Sequence, residues 1–146
     1  MDNATIRALE ADIARVLVRY CRAFDEGRFD EVADLFAPDA VFERPRHPPL
    51  RGKAEIGAFC RATPPAYRFR HMSSNILVRP IDVDAAVADS SFILFQGMEP
   101  GPDVACALDR VAMVGDYRDR LVRIGDSWRF ARRRIEHAFV APPLGG

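Results

Sequence analysis

Lysine is almost missing from this chain: Lys53 is the only one, and arginine supplies the rest of the 21 basic residues. Against them stand 21 acidic residues, so the formal net charge is zero. Binding to a nucleic-acid backbone runs on a surplus of cations, and this balance argues against such a partner. No apolar run reaches the roughly 20 residues that a membrane-crossing helix needs. The opening MDNATIRALEADIARV is acidic where a signal peptide would be positive, so a cytoplasmic protein with no membrane segment is expected. Cysteine is scarce too. Cys21, Cys60 and Cys106 are far apart and fit neither a Cys-x-x-Cys nor a Cys/His spacing, which predicts reduced, mostly buried thiols. Glycine-rich phosphate loops, metal-ligand spacings, internal repeats and linkers are all lacking, and neither a nucleotide nor a metal cofactor is expected.

What is present is a globular mix: 146 residues with 49% hydrophobic and 29% charged content make one domain, residues 1–146. A chain of this length buries on the order of 70% of the surface its unfolded form exposes. Ile6, Leu9, Ile13, Val16, Leu17, Tyr20 and Phe24 recur at steps of three and four, which predicts a helix over 5–25. Asn3 or Thr5 is placed to cap it, and Gly27 to stop it. A short second helix is expected over 30–36, ended by Ala37-Pro38-Asp39, and a strand over 40–44 follows. After a proline-rich loop, 53–61 reads as a third helix, closed by Pro64-Pro65. The remainder reads as antiparallel strands over 68–79, 85–96, 106–124 and 127–139, with Gly125-Asp126 turning the last pair and a short Pro/Gly tail after Val140.

Helices followed by strands predict an α+β fold, the helices packed on one face of a curved sheet. The third of the five strands is apolar on both faces near its end, with Phe92 and Leu94 on one side and Ile93 and Phe95 on the other. Its outer face therefore needs a cover. A second copy of the chain, making a homodimer through the sheet, is the economical one, and burial under loops is the alternative.

Chemistry concentrates in two places. Tyr20 and Asp25 end the first helix, where both polar tips are placed to enter a cavity. On the strand over 68–79, the two-residue period puts Phe69, His71, Ser73, Asn75 and Leu77 on one face, unusually polar for a core face. Buried polar side chains are unfavourable unless partnered or used, and an imidazole exchanges protons near neutral pH. Tyr117, sharing a face with Met113 and Leu121, is a further candidate to touch a ligand. Arg132 and Arg134 share a predicted face with Trp128 and Phe130 and read as solvated or salt-bridging residues. His47 and His137 read as exposed.

The run YCRAFDEGRFDEVADLFAPDAVFERP, then LRGKAEIGAF, FRHMSSNILV and GDYRDRLVRIGDSWRFARRRI, resembles the SnoaL-like branch of the NTF2-like superfamily over nearly the whole chain. The resemblance implies a cone-shaped α+β fold with three helices and a bent, mixed or antiparallel sheet around a deep apolar pocket. Its relatives include scytalone dehydratase, ketosteroid isomerase, polyketide cyclases and the small subunits of ring-hydroxylating dioxygenases. Asp25 matches an aspartate of scytalone dehydratase-like members, and His71 their strand histidine. There the carboxylate orients an imidazole that moves protons; the alternative is a helix-end aspartate and a satisfied pocket histidine. Tyr20 matches the tyrosine that polarises a carbonyl oxygen in ketosteroid isomerase, whereas that enzyme's strand carboxylate is replaced by Arg44, preceded by Glu43. The resemblance thus implies a cofactor-independent lyase or isomerase for a small, largely apolar carbonyl compound. Asp25 and His71 would be its acid/base pair, and Tyr20, Phe24, Asn75 and Tyr117 would contact the substrate. The other reading is a non-catalytic binding or assembly subunit, its pocket plugged by side chains such as Phe24 and Phe95.

Overall fold

A computed structural model describes residues 1–108 and 110–142. The end of the expected Pro/Gly tail, from residue 143, lies outside them. Helix α1 spans Asn3–Asp25 and buries Leu9, Ile13, Val16, Leu17 and Tyr20 along one stripe. Each such apolar side chain contributes about 1.5–3 kcal/mol on burial. The cap is Asp2, one position before the expected Asn3: its Oδ1 accepts from the Thr5 N–H at 2.8 Å. Gly27, at φ 70°, takes the left-handed conformation that ends the helix.

Helix α2 follows at Phe29–Asp34 and strand β1 at Phe36–Glu43. Pro38 is tolerated inside β1 because pairing is interrupted between Phe36 and Val41, so no ladder hydrogen bond is lost there. A two-residue strand β2, Leu50–Arg51, and helix α3, Gly52–Arg61, come next. Strands β3 (Tyr67–Pro80), β4 (Ala85–Met98), β5 (Met113–Ile124) and β6 (Ser127–Val140) complete the chain. β5 begins seven positions later than expected, at Met113 in place of Cys106, after an irregular stretch.

The six strands form one sheet in the order β2-β1-β6-β5-β4-β3. All neighbours are antiparallel except β1 and β6, which run parallel, so the sheet is mixed. This α+β arrangement agrees with the expected class. The core lies between the helices and the sheet, where Phe36, Phe92, Tyr117, Leu121 and Phe130 meet the α1 stripe. Cys21 and Cys60 are buried free thiols, and Cys106 is a partly exposed one.

Three strand irregularities decide which side chains face inward. In β3 the register breaks between Ser74 and Leu77, where Asn75 adopts φ 51°. In β6 one extra residue, Ala131, lies between the pairs Leu121–Phe130 and Arg120–Arg132. A second extra residue, Ala138, lies between Gly115–His137 and Val114–Phe139. Each insertion reverses the inward and outward alternation beyond it, because the side-chain period of a strand is two.

Candidate active site

A cavity of about 470 Å³ opens between the sheet and the ends of α1 and α3. Its walls are mostly aromatic and aliphatic: Phe24, Phe42, Phe59, Phe69, Phe92, Leu94, Met113 and Ile135. Tyr20, His71 and Tyr117 also line it. Tyr20 and Tyr117 are almost wholly buried, whereas His47, Pro64, Tyr67 and His137 are exposed, so the former mark the deep end and the latter the mouth.

Asp25 and His71 come together from the last turn of α1 and the middle of β3. The His71 Nδ1 lies 2.6 Å from Asp25 Oδ1, and the His71 backbone N–H donates to Asp25 Oδ2 at 2.8 Å. Both carboxylate oxygens are thus engaged by one residue, with the side chains only 9% and 7% exposed. The carboxylate accepts from Nδ1–H, which fixes the tautomer and leaves Nε2 to exchange a proton with a bound molecule. Edge-on contacts with Phe24, at a centroid distance of 5.3 Å, and Tyr20, at 6.4 Å, hold the imidazole plane.

Burial raises the Tyr20 and Tyr117 hydroxyls well above the ordinary phenol range, although the nearby Arg133 charge pulls the other way. Both phenols therefore stay protonated and able to donate. Tyr117 stacks on Phe92 with centroids 4.5 Å apart.

Asn75 does not join this group. It is exposed, because the bulge at its left-handed backbone turns it outward and brings Ile76 and Val78 in. Ser73 lines a separate hollow on the other side of the pair, beside Cys21 and Asp25, and its hydroxyl is buried without a partner among the described residues. Arg132 and Arg134 also lie outside: Arg132 donates to Glu43 through Nε at 2.8 Å and NH2 at 3.0 Å, and Arg134 pairs with Glu136 at 2.6 Å.

Arg133 is the inward one of the three arginines, and sequence reasoning missed it. Its guanidinium carbon lies 4.1 Å, 3.6 Å and 4.4 Å from the ring centres of Tyr20, Tyr117 and Phe130. Its Nε stands 3.1 Å from Asp119 Oδ1, and NH2 donates to Oδ2 at 3.3 Å. Burial pushes the Asp119 carboxyl up to about 6, and the Arg133 charge offsets only part of that. Asp119 was the available signal: an acid on the inward face of β5, with Tyr117 and Leu121, requires an inward cation.

The chain's three histidines all line the one cavity, although His47 and His137 remain exposed at its mouth as expected. Among the described residues, no three of His, Cys, Asp and Glu converge as a metal site requires. No helix among the described residues is long and apolar enough to cross a membrane.

A family model, the SnoaL-like domain, matches residues 7–134. The chain belongs to the SnoaL-like family. An uncharacterized protein of Mycobacterium tuberculosis, Rv2910c, is 33% identical over 132 residues, covering 84% of this chain and 80% of that protein. A solved structure from Catenulispora acidiphila, in complex with S-DNPA, is 30% identical at a TM-score of 0.72, over 90% of this chain and 94% of that one. A putative scytalone dehydratase from Novosphingobium aromaticivorans superposes at a TM-score of 0.81 over 99% of each chain, and at 18% identity it shows the shared NTF2-like fold. SnoaL-like membership and the α+β class agree with the sequence reading.

Proposed function

We propose that this SnoaL-like protein is a cofactor-independent lyase or isomerase of the dehydratase or cyclase type. Its substrate would be a small, largely apolar carbonyl compound, turned over in the cytoplasm. The observation that carries the reading is the Asp25 carboxylate 2.6 Å from the Nδ1 of His71, a residue that lines a largely apolar cavity. The S-DNPA complex of the Catenulispora relative supports small-molecule binding in such a fold.

His71 Nε2 takes a proton from carbon next to the carbonyl, and Asp25 holds the imidazolium that forms. Tyr20 donates to the carbonyl oxygen as it gains negative charge, and Tyr117, from the same wall, serves in the place first expected of Asn75. The imidazolium then returns its proton either to a departing hydroxyl, which leaves as water, or to another carbon of the substrate. The first outcome is dehydration and the second isomerisation. The alternative, an assembly subunit with a plugged pocket, fits less well, since Phe24 lines the cavity without filling it and Phe95 is not among its lining.

The test is turnover of hydroxylated bicyclic ketones, followed by mass spectrometry for loss of water and by NMR for proton exchange in heavy water. His71→Ala and Asp25→Ala should each lose roughly 100- to 10,000-fold in rate. Their circular dichroism should match the parent. Undiminished turnover in His71→Ala would remove the proposal.

A further inference from the structure

The last residue of strand β1, Glu43, and the residue that follows it, Arg44, are both charged and part company. Glu43 turns outward and is held by Arg132, while Arg44, one residue later, lines the cavity on the same side as Phe42. The Arg44 guanidinium carbon sits 4.2 Å from the centre of the Phe59 ring. Among the described residues Arg44 forms no ion pair, and its Nε is buried without a hydrogen-bond partner. Among the described residues, no aspartate or glutamate lines the cavity.

The remaining polar lining near the mouth brings no opposing charge among the described residues. His47 and His137 stand there, and burial together with the Arg46 charge lowers His137 from its ordinary value. A largely apolar cavity thus holds a fixed cation that no described side chain neutralises. A guanidinium seated over a ring still presents its planar fork of donors, and a carboxylate is its geometric match. An arginine kept partly desolvated without a counter-ion is unfavourable unless a ligand supplies one.

We propose that Arg44 receives a carboxylate carried by the substrate. The ligand is then an aromatic or polycyclic carbonyl compound with an acidic arm. Its ring lies against the aromatic wall near His71, and its acid reaches Arg44. This rests on the cavity being the reaction site and names the substrate class for it. It also gives a role to the position where the strand carboxylate of a ketosteroid isomerase would stand: a cation there selects an anionic substrate where an acid would repel one.

The test compares 2-naphthoate with its neutral isostere 2-naphthamide by titration calorimetry. A charge-assisted contact predicts a preference for the acid of roughly ten- to hundred-fold in the parent protein, weakening as salt is raised. Arg44→Met should bind the two probes equally, and Arg44→Lys should keep part of the preference. His71→Ala should keep all of it, so that failure of the proton-transfer reading and failure of this one are separate results. Equal affinities in the parent, no measurable binding of the naphthoate, or a preference that survives Arg44→Met would each overturn the assignment. Should Arg44→Met not fold, the parent's preference and its salt dependence decide.

Discussion

Arg133 shows how one side chain can organise a site without lining its cavity. Its guanidinium rests against Tyr20, Tyr117 and Phe130 and faces Asp119, with both members of the ion pair fully buried. Removing only the cation leaves a buried carboxylate uncompensated. Arg133→Met should therefore lose about 3–5 kcal/mol of stability. Adding Asp119→Leu should restore most of that, because the second charge then no longer has to be desolvated. Urea denaturation of the two variants measures both numbers, and an Arg133→Met protein as stable as the parent would show that the pair is not what holds these rings. The same charge opposes the effect of burial on both phenols, so the variant also makes Tyr20 and Tyr117 weaker donors toward the cavity.

The strands carry the site through their irregularities more than through their regular parts. Gly115 faces the Ala138 insertion of β6 so closely that a Cβ would stand 2.1 Å from the Glu136 carbonyl oxygen and 3.0 Å from the Phe92 ring. The first of those atoms is backbone and cannot swing away. Gly115→Ala should accordingly cost about 3 kcal/mol or more, at the severe end of overpacking. Gly27→Ala is the control: the space around it is open, and only the left-handed φ of 70° opposes the change, at about 1–2 kcal/mol. Denaturation midpoints should rank the two variants in that order. A tolerated Gly115→Ala would mean that the strands can part there, and the His137 side of the cavity mouth with them.

At the scale of the whole molecule, the outer face of the sheet presents exposed apolar side chains. Met72 and Ile93 are direct cross-strand partners on that face and are 53% and 37% exposed. Their neighbours Phe92 and Leu94 point the other way, into the cavity wall. The apolar pair supports the proposal of a homodimer through this face. Ile93→Asp should convert it to a monomer, read by light scattering after gel filtration, while turnover in the cavity on the opposite face persists. A monomeric parent protein would dismiss the idea.

The order of the elements was legible along the chain because the signals are local. A three-and-four step of apolar residues marks α1, Gly27 ends it, and Gly125 with Asp126 turns β5 into β6. The likeness to the SnoaL-like family, carried by motifs spread over the chain, added the fold and pointed to Asp25 and His71. Strand phase was another matter. Counting by twos from Phe69 placed Asn75 inside, and counting from Trp128 placed Arg132 and Arg134 beside the core. Bulges at Asn75 and Ala131 reversed both counts, putting Asn75 in solvent and Arg133 in the core. The parallel pairing of β1 with β6, and the meeting of all the histidines around one cavity, likewise depend on partners remote in sequence. Periodicity is a property of one segment, whereas a bulge and a pairing partner are settled between segments. For that reason the sequence by itself determined which elements form and which residues are fit for proton transfer, and only the tertiary structure decided which of them face one another.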